Sequence, residues 1–248
     1  TATSGAAKDT GLYAVDQVNV TDVMQTATAP WRHMTTNYAL ERREIAMNRT
    51  PAQIVDLVKI RRHDAMSSLA THMEERFWSQ PTASQTDRLY GIPYWITRGA
   101  PTTAGGFLGG DPTYTAEGTG AGGLASATYG NWQNWSASYT NVTSVDLIRA
   151  WRKASTFTNF KAPSPYAQYE GPSNYGYYTN YSVIGPLEEV LEAQNENLGN
   201  DLASKDGQVM FRRTPVQWVP QLENATGNPV YGVNWQSLRP AFLAGEYL

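Results

Sequence analysis

The sequence predicts an α+β fold, and three features predict it: one very long helical run, a strand-like segment ahead of it, and closing strands broken by proline. The helical run covers residues 51–79. Thr50 stands at its N-cap, and Pro51 takes the first helical position, where a missing N–H costs nothing. Gln53 completes a capping box. Apolar residues recur at Ile54, Val58, Ala65, Leu69, Met73 and Phe77, mostly three or four apart, which draws one stripe. Gln80-Pro81 ends the run. About 29 residues rising ~1.5 Å each make a rod of roughly 44 Å, long beside the globular mean of ~11–12 residues. A subunit that must span distance within an assembly uses such a rod more readily than a compact enzyme does.

The other elements follow from local patterning. Residues 1–10 read as a disordered arm. Val15, Val18, Val20 and Val23, then Met34, Tyr38, Leu40, Ile45 and Met47, make 12–47 strand-like on either side of Pro30-Trp31. Two long strands and a loop are expected there, a ribbon that is marginal alone in water and needs a surface to lie on. Residues 89–96 read as a short aromatic strand, and the Gly/Thr-rich stretch 99–123 as an extended surface loop. A second helix is expected over 145–157, capped by Ser144, and the Tyr-rich stretch 166–181 is irregular. A third helix starts at Gly185-Pro186 and runs to about Leu198, its first-turn acids suiting the helix dipole. Asp206-Gly207 is a turn. Strands are expected over 209–211, 216–219, 230–235 and 241–243, punctuated by Pro215, Pro220, Pro229 and Pro240. No internal repeat is visible.

Composition narrows the function. The 248 residues suffice for one large domain or two modest ones. With no cysteine, disulfides, thiolate metal sites and thiol nucleophiles are excluded. No apolar run approaches the ~18 residues of a membrane span, and the first residues lack the regions of a signal peptide. Charged residues are 17%, below the usual ~25%, and Arg outnumbers Lys 14 to 5. Interfaces favour Arg, Tyr and Trp over Lys because a weakly hydrated guanidinium is less costly to desolvate. The composition fits either ordinary drift or a surface largely covered by neighbours. A net charge of −3 gives no basic footprint for sequence-specific nucleic-acid binding.

No catalytic constellation emerges. Gly118-Thr119-Gly120-Ala121-Gly122-Gly123 has the letters of a dinucleotide-binding loop but no helix behind it to face a pyrophosphate, so it reads as a flexible loop. His63 and His72 lie nine apart, not at metal-pair spacing, and His33 is isolated. Glu41/Glu44, Glu74/Glu75 and Glu188/Glu189 sit beside arginine or in a helix first turn, where ion pairing or dipole compensation accounts for them. No nucleophile elbow, phosphate loop or His-Glu-x-x-His is present. The chain is expected not to be an enzyme, with no cofactor and no metal. Asn-x-Ser/Thr triplets begin at Asn19, Asn48, Asn134, Asn141, Asn180 and Asn224; glycosylation or chance in an Asn- and Thr-rich chain explains them. The clusters Tyr94-Trp95, Trp132/Trp135 and 175–181 fit aromatic packing or a sugar-stacking platform.

Five stretches carry a family resemblance. They are Tyr90-Gly91-Ile92-Pro93-Tyr94-Trp95-Ile96, Asn131-Trp132-Gln133-Asn134-Trp135 with Tyr139, Gln194-Asn195-Glu196-Asn197-Leu198-Gly199, Phe211-Arg212-Arg213-Thr214-Pro215-Val216, and Asn228-Pro229-Val230-Tyr231-Gly232-Val233-Asn234-Trp235. In this order and spacing, from about Asn48 to Leu248, the chain resembles the major capsid proteins of tailed bacteriophages, the Hong Kong 97 type fold. The resemblance implies an N-terminal arm remnant and extended β-hairpin loop over 1–47 and a peripheral domain with a spine helix over 48–98. It implies an axial domain over 99–211 and closing strands of the peripheral domain over 212–248. Little sequence precedes the ribbon, and 246–248 stops in mid-pattern where similar proteins are longer.

The function implied is self-assembly into pentamers and hexamers that tile the icosahedral head around double-stranded DNA. Scaffolding, portal and decoration proteins are the implied partners, with weak, non-specific contact to DNA and no membrane. The implied location is the virion, after assembly in the host bacterial cytoplasm. Arg42, Arg43, Arg61 and Arg62, on the two elements expected to meet neighbours, are the expected intersubunit ion-pairing residues. Two alternatives stand: an encapsulin-like compartment shell, and a secreted carbohydrate-binding or glycoside hydrolase domain.

Overall fold

The computed structural model describes residues 9, 11–12, 25–47, 50–159, 174–194 and 209–245. The fold is mixed α+β, with five α-helices and two sheets among the described residues. The chain divides into two compact units, Thr1–Ala100 with Phe107–Asn134, and Pro101–Gly106 with Trp135–Leu248. Two short strands, β1 (Gly106–Phe107) and β2 (Trp135–Ser136), form the smaller sheet.

The first unit holds α1 (Arg42–Met47), α2 (Pro51–Phe77) and α3 (Ile92–Trp95). Helix α2 runs for 27 residues, starting at Pro51 as expected and ending at Phe77, two residues before the expected end. Thr50 has the extended backbone of an N-cap, yet its hydroxyl makes no capping bond; the side chain of Gln53 lies outside the described residues. At the other end the Trp78 N–H donates back to the Glu74 carbonyl at 3.3 Å, and Arg76 in the last turn complements the helix dipole.

Two expectations for this unit fail. Residues 25–41 form no strand, and 42–47 are helical, so the described part of the expected hairpin is an extended arm ending in α1. The expected strands over 13–24 lie outside the described residues. Residues 92–95 are a helical turn rather than a strand, because Pro93 near its start supplies a helical φ and lacks the N–H a ladder needs.

The second unit is built on a four-stranded sheet of order β4-β5-β3-β6. Its strands are β3 (Tyr175–Thr179), β4 (Met210–Phe211), β5 (Thr214–Trp218) and β6 (Tyr231–Asn234). β3 runs parallel to β5, with Tyr177 opposite Val216, and antiparallel to β6, with Tyr177 opposite Gly232. A parallel pair needs a long crossover, and α5 (Tyr181–Gln194) lies on it. Helix α4 (Leu147–Thr158) precedes the sheet.

Leu147 and Trp151 from α4, Val183 and Leu187 from α5, and Tyr177, Val209 and Val216 from the sheet region form one buried cluster. Trp151 stacks on Phe211 at 4.2 Å and meets Tyr177 edge-on at 5.0 Å. This packing explains why α5 begins at Tyr181, ahead of the expected Gly185-Pro186. Val183 and Leu187, four apart, share one face with Ile184 and Leu191 packed around them, so burial overrides the Pro186 start signal. The expected irregular stretch contains strand β3, and no strand forms over 241–243, where Phe242 and Leu243 are exposed. Asp206-Gly207 and the expected helix end at 195–198 lie outside the described residues.

Candidate assembly surface

Within the first unit the arm is tied down at successive points. The Thr28 N–H donates to the Gly122 carbonyl at 3.0 Å. Farther along, Thr36 Oγ1 donates to the Ala65 carbonyl at 3.2 Å, and Arg61 Nη1 to the Ala39 carbonyl at 2.7 Å. Arg61 Nη2 also reaches the Glu44 carboxylate of α1 at 2.6 Å. Thr36 therefore lies against Ala65 and Ala39 against Arg61, so the arm runs antiparallel to α2 before α1 turns back.

The anchor of this arrangement is Arg32. Its guanidinium donates to the Tyr90 hydroxyl at 3.0 Å, sits 5.3 Å from that ring's centroid, and lies 3.5 Å from Glu117 Oε1. Tyr90 stacks on Tyr94 at 4.3 Å, and Trp95 meets Tyr94 edge-on at 5.0 Å. The Tyr94 side chain is 0% exposed, and its hydroxyl accepts the Gly122 N–H at 3.0 Å. Burial, followed by the neighbouring Glu117 carboxylate, pushes the Tyr90 phenol well above its ordinary value. Burial does the same for Tyr94. The glycine-rich stretch is thus packed in part: Tyr114 and Ala121 are buried with Tyr94 in one cluster, while 102–104 and 118–119 are exposed, as expected of a surface loop.

These contacts give physical content to the sequence motifs. In Tyr90-Gly91-Ile92-Pro93-Tyr94-Trp95-Ile96, Gly91 abuts the end of α2. A Cβ there would lie 2.2 Å from the Ser79 carbonyl oxygen and 2.4 Å from that of Arg76. In the Asn131–Trp135 motif, Asn134 Nδ2 donates to the Thr97 carbonyl at 2.7 Å while Oδ1 accepts the Thr97 N–H at 3.1 Å. Trp132 Nε1 donates to the Ala121 carbonyl at 2.9 Å. In the second unit, Phe211-Arg212-Arg213-Thr214 is a two-residue hairpin turn, with φ of 47° at Arg212 and 68° at Arg213. In Asn228-Pro229 and onward, Thr179 Oγ1 donates to the Pro229 carbonyl at 3.0 Å, and Trp235 Nε1 to the Tyr178 hydroxyl at 2.9 Å.

Against this ordered base, α2 is poorly covered. Among its described side chains Ala65 is the one buried residue; Val58, Leu69, Met73 and Phe77, the rest of the described stripe, are half-buried. Val55 and Met66, eleven apart, fall on one side of the helix about three turns apart. Ile60 lies about 140° round from Val55. All three are exposed, Ile60 at 67%, and the arm and α1 add Trp31 at 60% and Met47 at 83%, with Tyr38 and Ile45. Single exposed apolar residues are normal, but a helix and arm carrying this many form a candidate contact surface.

The expected ion-pairing arginines divide. Arg61 is engaged within the chain by Glu44 and the Ala39 carbonyl, whereas Arg42, Arg43 and Arg62 are exposed and make no hydrogen bond or ion pair among the described residues. The contacts that sequence reasoning missed are those of Arg32 with Tyr90 and Glu117, 58 and 85 residues away.

Among the described residues no three His, Asp or Glu side chains gather as a metal site. His63 and His72 are both exposed on α2, with His72 Nδ1 3.9 Å from Glu75. Of the aromatic clusters, Tyr94 is buried while Trp132 and Tyr181 are exposed, and Asn180 is buried with Nδ2 bonded to Asn228 at 2.8 Å. No described helix is long and apolar enough to cross a membrane. No protein-family model, curated protein or solved structure matches the chain.

Proposed function

We propose that this chain is a structural shell protein, similar to the major capsid proteins of tailed bacteriophages. Copies associate into pentamers and hexamers, and these tile an icosahedral head around double-stranded DNA. The observation that carries the reading is a 27-residue helix, flanked by an arm and α1, with apolar side chains left uncovered on more than one side. Covering them stabilises association by roughly 25 cal/mol per Å² of apolar area removed from water. Several moderate contacts per subunit then sum to a durable container. The ordered sequence motifs support the same reading.

In this scheme α2 is the spine helix and the residues before it reach a neighbouring subunit. Arg42, Arg43 and Arg62 pair with carboxylates of that neighbour, while Arg61 holds the helix to the arm. Contact with packaged DNA is weak and non-specific, and scaffolding, portal or decoration proteins complete the particle. The particle assembles in the bacterial cytoplasm.

Negative-stain electron microscopy of the purified protein tests this directly. Closed shells or capsomer rings are expected, and native particles should contain nucleic acid. Shells holding a bound enzyme instead of nucleic acid would make the chain a compartment shell, and a monomer retained on polysaccharide would overturn assembly altogether.

A further inference from the structure

The first unit contains an open hollow of about 310 Å³ between the arm near His33, the last turns of α2 and the loop 84–89. Its lining is rich in hydrogen-bond donors. Arg76 and Arg88 contribute two guanidiniums, His33 and His72 two imidazoles, and Ser84 and Thr86 two hydroxyls. The Arg88 guanidinium is half-buried and makes no hydrogen bond or ion pair among the described residues. Among the described residues the Arg76 guanidinium makes one long contact, Nε to His72 Nε2 at 3.4 Å. Burial and then the charge of Arg76 hold Arg88 below its ordinary pKa, with Glu75 acting in the opposite sense. Asp87 is the one carboxylate on the lining, and it stays exposed.

Two guanidiniums line one hollow and repel each other, and neither is hydrogen-bonded to a carboxylate among the described residues, which leaves donors for an acceptor from outside. We propose that this hollow is an oxyanion site that binds a phosphate group, with Arg76 and Arg88 as its principal ligands. A tetrahedral phosphate presents more acceptor oxygens, in more directions, than a carboxylate, which suits a lining drawn from three separate segments. The hollow is larger than the anion itself. Met34 and Leu89 on its wall leave room for the organic part of a phosphate monoester. This site is independent of shell assembly, since none of the apolar residues assigned to subunit contacts lines it.

Titration calorimetry of the full chain with inorganic phosphate, in a phosphate-free buffer, tests the site, with acetate as the carboxylate arm. Saturable binding of phosphate is expected, weakened at least about tenfold by Arg88→Gln or Arg76→Gln, the loss of one charge-assisted contact. Asp87→Asn should leave it unchanged or tighten it. Arg88→Lys keeps the charge but not the fork, and is also expected to weaken phosphate if Arg88→Gln does not fold. The absence of saturable phosphate heat, unchanged affinity in all the folded arginine variants, or acetate binding as tightly as phosphate would each overturn the proposal.

Discussion

The two units solve the same problem, burying apolar surface, in opposite ways. In the second unit, two helices and a four-stranded sheet close over one cluster in which Leu147, Trp151, Tyr177, Val183, Leu187, Val209 and Val216 are all buried. In the first, the clustered core is Tyr94, Tyr114 and Ala121 with Tyr90 and Trp95, assembled from loops around one turn of helix, while α2, the longest described helix, contributes little beyond Ala65. The second unit closes a core over its sheet, though Val145, Trp218 and Phe242 stay exposed on it. The first is ordered by polar and aromatic ties, and leaves most of its long helix outside the core.

That contrast can be broken from either side. Trp151→Ala removes the ring that stacks on Phe211 and abuts Tyr177, and should destabilise the second unit by about 3–5 kcal/mol. Hydrogen exchange followed segment by segment should show β3 and α5 losing protection. If the loss fell equally on α2 and α3, the separation of the two cores would be wrong. Gly91→Ala should cost about 2–3 kcal/mol in the first unit, because the added Cβ meets fixed carbonyls at the end of α2. Exchange at 70–95 reads that loss, and an unperturbed α2 terminus would contradict the contact.

Alkali sharpens the same distinction. The Tyr90 pKa is raised on folding, so the folded protein retains a proton that the unfolded chain releases near pH 10. Stability of the first unit should therefore be unaffected by this group below about pH 10 and fall as pH rises beyond it. Tyr90→Phe should flatten that decline in a thermal-melting series. The reverse sign holds for Asp146, which accepts the Thr140 and Asn141 N–H groups at 2.8 Å each and has a lowered pKa. Its contribution to the second unit is present above about pH 4 and is lost as pH falls below that. The smallest effect is a gain. Arg213 occupies a left-handed backbone with φ of 68°, so Arg213→Gly should raise stability by about 0.5–1 kcal/mol. Arg212→Gly should not, because it forfeits the bonds of Arg212 to Ser155 Oγ and Thr156 Oγ1, both 3.0 Å.

Local signals carried much of the second unit and the whole of α2. The proline at position 51 and the apolar spacing marked α2, and the strands expected over 216–219 and 230–235 overlap β5 and β6. Non-local ties were not legible. Ile92, Tyr94 and Ile96 alternate like a strand, yet Pro93 and the burial of Tyr94 under Gly122 make a helical turn. The glycine-rich stretch looked like solvent-exposed loop because its order depends on Tyr94 and Trp132, outside its own sequence. Nothing near Arg32 announces that Tyr90 and Glu117 will receive it. Val55, Ile60 and Met66 were present in the sequence, but only the structure shows them exposed rather than forming a second core stripe.

Sedimentation velocity of the full chain and of the combined Val55→Gln, Ile60→Gln and Met66→Gln variant tests the central claim most directly. Glutamine is a good helix former, so far-UV circular dichroism should match between the two. The parent chain is expected to sediment as large assemblies, and the variant to collapse toward the 27.4 kDa monomer. A parent chain that stays at 27.4 kDa across all concentrations, or a variant that assembles as the parent does, would contradict a shell completed through α2.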